Sequence, residues 1–183
     1  VRILKAGGVI IYPTDTVYGF GCDIFNEDAI ERIYTIKKRE RRKPFSFICL
    51  NFKQIGEFAG MSNVAFRLMR RKLPGPFTFI LKASPDAPRR VVEKKRKTVG
   101  IRMPDHHICL ALVEALSHTI ITTSVNYAGE DIFNDPHEIV ARFEKQVELV
   151  IDGGRLSYDP STVVDLTSNE WKIVRQGKGV LGI

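Results

Sequence analysis

GGVIIYPTDTVYGFGCD, residues 7–23, opens on an apolar run and closes on small polar and turn-forming residues. The segment 9–13, VIIYP, reads as a strand, because β-branched and aromatic side chains fit a pleated, half-buried surface. Pro13, Gly19 and Gly21 mark turns behind it, and Thr14, Asp15 and Thr16 place hydroxyls and a carboxylate at its end. Ligands of open α/β sheets bind beyond strand ends. A capping turn closed by its own side-chain bonds is the structural alternative.

Working outward, VRILKAGG at 1–8 reads as the end of a helix with a glycine stop. With no Met at position 1, part of that helix is expected upstream of Val1. Further strand signals fall at 45–50, 77–83, 99–103, 119–125, 149–153, 161–166 and 171–176. Helical signals lie between most of them. Asn26 caps a helix with Ala29, Ile30, Ile33 and Tyr34 on one face. Ser62 caps a second, with Val64, Ala65, Leu68 and Met69 inward and Pro74 as its stop. Pro104 and Asp105 precede a third carrying Leu110, Leu112, Val113 and Leu116. Asp135, Pro136 and Glu138 form the cap, first-turn proline and capping-box acid of a fourth. Strands alternating with helices predict an α/β fold. The last two strands, joined through 167–170, read as a hairpin, so the twisted sheet is expected to be mixed.

The 183 residues hold no repeat, low-complexity tract or linker, and they read as a single domain over 1–183. An apolar share of 44% with 27% charged residues is a globular composition. No apolar run approaches the roughly 20 residues that span a bilayer. Cys22, Cys49 and Cys109 show no paired spacing, which argues against a disulfide framework or a thiolate zinc site and for reduced thiols in a cytoplasmic protein.

The net charge is +7, unevenly distributed. The stretches 37–43, 67–72 and 89–97 carry 16 of the 28 Lys and Arg, whereas 130–170 holds ten Asp or Glu. That asymmetry predicts a face that attracts a polyanion: nucleotide, RNA or both. For any one stretch taken alone, a basic face that merely keeps the protein soluble accounts for the charge.

Standard catalytic signatures are absent: no Walker loop, dinucleotide glycine fingerprint or HExxH. His106 and His107 are adjacent, and His118 and His137 stand alone, so no metal site is expected. Ser124 lies in TTSVN rather than in a glycine-flanked nucleophile elbow. What remains are polar residues at strand ends: 12–21, TTSVNYAG at 122–129, and Ser161 and Arg175 in the terminal hairpin. PGPFT at 74–78 reads as a rigid structural turn. Hydroxyls, an amide and cations without a nucleophile suit phosphate-ester substrates, where positioning and charge neutralisation carry the catalysis.

GGVIIYPTDTVYGFGCD, the Lys-x-Arg at Lys37 and Arg39, LPGPFTFIL, VGIRMP, the Ser-x-Asn at Ser124 and Asn126, and PSTVVDL together resemble the YrdC-like threonylcarbamoyl-AMP synthases. VAFRLMRRKLPGPFTFILK and KKRKTVGIRMP resemble most closely the YciO-like branch. The resemblance implies a single-domain YrdC-like α/β fold, a twisted mixed sheet around a large, deep and basic groove. It implies formation of L-threonylcarbamoyl-AMP and pyrophosphate from ATP, bicarbonate and L-threonine, for threonylcarbamoyl modification of tRNA by a partner transferase. Lys37, Arg39, Lys43, Thr98, Ser124, Asn126 and Arg175 are then expected around ATP, with Lys37, Arg39, Ser124 and Asn126 taking the catalytic part. Mg2+ is expected to be held mainly by the phosphates. Thr14, Arg102, Thr122 and Ser161 are expected around threonine, with Arg102 clamping its carboxylate in two-pronged fashion. Asp105 or Asp165 is the alternative, structural partner of Arg102. Three positions depart from the family pattern: Ile48 is apolar where a polar threonine contact is common, Glu40 follows Arg39, and Gln176 follows Arg175.

A second function follows from the basic stretches: a tRNA- or double-stranded-RNA-binding protein of the same fold with little or no synthase activity. A third is another ATP-using ligase or a nucleotide sensor, since fold does not fix function.

Overall fold

The computed structural model describes every residue except Arg42, Asn169 and Ile183. Arg42 of the basic stretch 37–43 and Asn169 of the hairpin turn therefore lie outside the described residues. In chain order the elements are α1 Arg2–Lys5, β1 Ile10–Tyr12, β2 Gly19–Gly21, α2 Glu27–Lys37 and β3 Ser46–Ile48. Next come α3 Phe52–Phe58, β4 Ala59–Gly60, α4 Asn63–Lys72, β5 Phe77–Ala83 and β6 Thr98–Arg102. The chain closes with α5 His107–Leu116, β7 Ile120–Ser124, α6 Pro136–Phe143, β8 Leu149–Val150, β9 Thr162–Asp165 and β10 Lys172–Arg175.

The strands form one mixed sheet in the order β10-β9-β5-β6-β3-β7-β2-β1-β8, with β4 paired to β5. The β3/β6, β5/β9 and β1/β8 pairs are parallel, and β9/β10 is the expected antiparallel hairpin. Local sequence explains the helices that border it. Asn26 accepts from the Ala29 amide at 2.8 Å and Ser62 from the Ala65 amide at 3.2 Å, so each cap satisfies an otherwise orphaned first-turn N–H. Lys38, at φ 51°, turns the chain left-handed and ends α2. On α5 the inward residues are Cys109, Val113 and Leu116, while Leu110 and Leu112, expected inward, are half-buried.

Period-two alternation assigns the two faces of the sheet. Ile11, Phe20, Phe47, Phe79, Leu81, Val99, Ile101 and Ile121 point into the main core, under α2, α3, α4 and α6. Each buried phenylalanine here contributes roughly 1.5–3 kcal/mol of burial. On the opposite face Ile10, Tyr12, Ile48 and Ile120 pack under α1 and α5 with Leu4, Cys109, Val113 and Leu116. That second core covers only one end of its face, and the open remainder is the candidate site.

The basic stretches consequently part company. Stretches 37–43 and 89–97 send Arg39, Lys43 and Arg96 to the open face. Stretch 67–72 belongs to α4, whose Ala65 and Met69 pack into the main core across the sheet. The three stretches do not make one polyanion surface.

Candidate functional site

A cavity of about 650 Å³ lies on the open face. Its floor is built from every second residue of successive strands: Gly19, Thr122 and Ser124, Ser46, Thr98, Gly100 and Arg102, Thr78 and Ile80, and Val163. Phe20, Phe47, Phe79, Val99, Ile101 and Ile121, which alternate with them, are bulky residues of the main core. Small side chains are what leave the floor hollow. A Cβ on Gly100 would meet Ser46 Oγ at 2.5 Å, and one on Gly19 would meet Thr122 Oγ1 at 3.2 Å.

The loop 13–17 forms one wall. Thr14 Oγ1 accepts from the Thr16 and Val17 amides at 3.1 and 3.2 Å and donates to Val17 O at 2.6 Å. Its hydroxyl is thus consumed inside the turn, and Thr14 does not line the cavity. Thr16 lines it instead. Asp15 joins this loop to Arg102, whose Nη2 donates to Asp15 Oδ1 at 2.7 Å and to Thr16 Oγ1 at 3.0 Å. Both members of the ion pair are buried, at 7% and 9% side-chain exposure. Asp15 Oδ2 accepts from the Asp105 amide at 3.1 Å. Neither Asp105 nor Asp165 supplies the structural carboxylate for Arg102. Asp165 pairs with Arg96 at 2.6 Å. Arg102 Nε is buried without a hydrogen-bond partner, and the described hydrogen bonds leave Nη1 unused. The expected two-pronged clamp on a ligand is therefore partly spent on Asp15.

The opposite wall carries Ser161 and Arg175. Ser161 Oγ lies 2.7 Å from Thr78 Oγ1, and Arg175 Nη2 donates to Ser161 O at 2.8 Å. Surrounding protein, and next the charge of Arg102, lower the pKa of Arg175. Two guanidinium groups thus face one hollow, an arrangement that an anion between them would relieve. Arg39 closes a third side. Its Nε donates to Lys43 O at 3.1 Å, and its guanidinium carbon sits 5.3 Å from the Phe45 ring centroid.

A second cavity, of about 1400 Å³, adjoins the first through their shared residues Arg39, Lys43, Ser124 and Arg175. Lys37 and Asn126 line only this one, and Thr98, Arg102, Thr122 and Ser161 only the first. Ser124 Oγ donates to Asn126 Oδ1 at 2.8 Å. Ile48 lies outside both cavities, fully buried beneath α5; the polar residue that β3 offers is Ser46, two positions earlier. Gln176 is also displaced from the ligand space: its Nε2 donates to Gly177 O and Gly179 O at 2.9 and 2.8 Å and curls the C-terminal tail. Lys43 Nζ stands 3.9 Å from Glu40 Oε2 at the exposed rim.

Burial raises the pKa of the Cys109 thiol to about 12, and it raises those of Cys22 and Cys49 further; all three cysteines are free. Thiolate chemistry at neutral pH does not belong to this site. Among the described residues, no group of three or more His, Cys, Asp or Glu is arranged to hold a metal. No helix among them is long and apolar enough to cross a membrane.

The sequence matches the Sua5/YciO/YrdC family model, described as telomere recombination, over residues 2–177. It is 43% identical over 180 residues to the uncharacterized protein YciO of Escherichia coli, covering 98% of this chain and 87% of that protein. It is 35% identical over 171 residues to a threonylcarbamoyl-AMP synthase of Pyrococcus abyssi, covering 92% of this chain but 49% of the synthase. The fold superposes on the crystal structure of E. coli YciO with a TM-score of 0.93, covering 98% of this chain and 88% of that one. It superposes on P. abyssi Sua5 complexed with L-threonine with a TM-score of 0.89 at 32% identity, over 96% of this chain and 52% of that one.

Proposed function

Because this chain belongs to the Sua5/YciO/YrdC family, we propose that it forms L-threonylcarbamoyl-AMP and pyrophosphate from L-threonine, bicarbonate and ATP. The observation that carries the reading is the hollow of small polar side chains walled by Arg39, Arg102 and Arg175. It offers room for an adenylate, cations for its phosphate, and no protein nucleophile.

The chemistry needs none. Threonine's amine and bicarbonate condense to a carbamate with loss of water. A carbamate oxygen then attacks the α-phosphorus of ATP, and pyrophosphate leaves. Arg39 and Arg175, with Lys43 at the rim, neutralise charge on the transferring phosphates, which is the main task in such a reaction. Thr98, Ser124 and Asn126 orient the nucleotide by hydrogen bonds. The Arg102 Nη1 that Asp15 leaves unused takes the threonine carboxylate, and Thr122 and Ser161 receive its hydroxyl. Thr16 replaces Thr14 as the hydroxyl of the 13–17 loop that faces the amino acid. A divalent ion fits only as a companion of the triphosphate: among the described residues Glu93 is the one carboxylate that lines the first cavity, and its two oxygens already accept from the Lys95 and Arg96 amides. A downstream transferase would pass the product to tRNA.

A second reading is favoured by Arg67, Arg70 and Arg71, which stand exposed on α4, across the sheet from the site. They suit RNA phosphates and would serve an RNA-binding protein without synthase activity. Pyrophosphate release with each substrate omitted in turn separates the readings. Release that requires threonine and bicarbonate supports synthesis; release indifferent to threonine removes it.

A further inference from the structure

Lys37 is the last residue of α2, and only 1% of it is exposed. Its Nζ donates to Ser124 O at 2.5 Å, Asn126 O at 3.0 Å and Asn126 Oδ1 at 2.7 Å. A lysine ammonium has three N–H donors, so these oxygens use all of them. The Lys37 carbonyl in turn accepts from the Ala128 amide at 2.8 Å. Both ends of one residue thus grip the loop 124–130. Within that loop Asn126 Nδ2 donates to Glu130 O at 2.9 Å, so the pull on Asn126 passes to the far end. Ser124 lines both cavities, and Asn126 and Glu130 line the second.

We propose that Lys37 is a positioning residue: an internal cation that shapes the 124–130 loop, and with it the wall common to both cavities, rather than a contact of the phosphates. The role in the loop stands on geometry alone. Its effect on nucleotide binding rests on the synthase reading. The proton is part of the device, because a neutral amine has two N–H groups and a lone pair to set against three oxygens.

Burial, and then the charge of Arg39, lower the Lys37 pKa to about 7. Lys38, Glu40, Lys43, Glu130, Asp131, Glu138 and Arg175 line the same cavity as its charged neighbours, and the Phe20 ring lies 5.6 Å from Nζ. The direction follows by linkage. Between about pH 7 and the ordinary lysine pKa near 10.4, the unfolded chain holds a proton that the folded chain has released. Stability therefore rises with pH in that window, while the loop loses the proton that shapes it. Stability and nucleotide affinity move in opposite directions, which a purely structural lysine would not produce.

The test compares wild type with Lys37→Met, which keeps the stem and removes the ammonium, and with Asn126→Ala, which removes the side-chain acceptor. Hydrogen exchange on unliganded protein at pH 6 reads the loop directly. Both variants should exchange amides of 124–130 at least about tenfold faster than wild type, with the sheet strands unchanged, and the double variant should be no worse than either single one. Affinity for ATP, taken relative to Lys37→Met so that ATP's own titration cancels, should fall about tenfold from pH 6 to pH 8, the change expected of one group with a pKa near 7. Unchanged loop exchange in both variants overturns the proposal. So does a loss of ATP affinity in Lys37→Met with the loop exchanging at the wild-type rate, because that is the mark of a direct phosphate contact; an affinity loss independent of pH overturns the part assigned to the proton. If wild type binds no ATP, the synthase reading fails, and the exchange result still decides the role of Lys37.

Discussion

Arg102 and Asp15 are 87 positions apart in sequence and form a nearly dry ion pair, 2.7 Å long, at the floor of the cleft. Replacing Arg102 with Met would strand the Asp15 carboxylate, leaving it the Asp105 amide alone. Stranding one member of a buried pair costs about 3–5 kcal/mol. For a chain of this length, each kcal/mol lowers Tm by about 2–4 °C, which gives a drop on the order of 6–20 °C. Adding Asp15→Asn removes the stranded charge and should return most of that loss, because deleting both partners of a buried pair is often neutral. Binding should not recover with it, since Arg102 Nη1 is the proposed anchor of the threonine carboxylate. The assay is a double-mutant cycle read twice, by urea unfolding and by threonine-dependent pyrophosphate release. The single Arg102→Met variant should lose stability and activity, and the double variant should regain stability alone. A stable single variant would refute the buried pair. A double variant with restored threonine-dependent turnover would refute the anchor.

Two further outcomes follow. Arg39→Ala removes a charge-assisted phosphate contact of roughly 1.5–3 kcal/mol, so calorimetry should find ATP affinity lowered about tenfold or more; unchanged affinity in a folded variant contradicts its place at the phosphates. A Cβ on Gly177 would meet Pro160 O at 2.1 Å and Ser161 backbone atoms at 2.8 Å, whereas one on Gly56 meets nothing within 4 Å. Gly177→Ala should therefore cost about 1–3 kcal/mol or more and Gly56→Ala, inside α3, should gain about 1 kcal/mol, a contrast that two urea midpoints settle.

Elements with local causes were legible in the sequence. Asn26 and Ser62 sit where first-turn amides need acceptors, and 77–83 alternates cleanly, so α2, α4 and β5 could be placed from the chain alone. Elements held by neighbours were not. β2 is the tripeptide Gly-Phe-Gly, whose two glycines weaken it as a strand, and it exists because β1 and β7 pair with it. α3 is short and interrupted by Gly56. The site was legible as a set of strand ends, and the structure gathers Arg39, Lys43, Thr98, Arg102, Thr122, Ser124, Ser161 and Arg175 around one hollow. Its floor went unread although the signal was present: Gly19, Ser46, Thr78, Gly100 and Thr122 each alternate with a bulky residue. Thr14 was misplaced because sequence spacing cannot tell a hydroxyl bonded within its own turn from one two positions on that faces the cavity. Asp15 was missed as the partner of Arg102 because that contact is made only by the fold.

The most direct measurement is pyrophosphate release from ATP by the purified chain, with L-threonine and bicarbonate present together, each omitted, and threonine replaced by valine. The synthase reading expects release only with both co-substrates, and release slowed roughly 5- to 150-fold with valine, because valine forfeits the hydroxyl's hydrogen bonds in the pocket of Thr122 and Ser161 at a cost of about 1–3 kcal/mol. Release that proceeds equally without threonine, or no release under any condition while RNA binds, would contradict it.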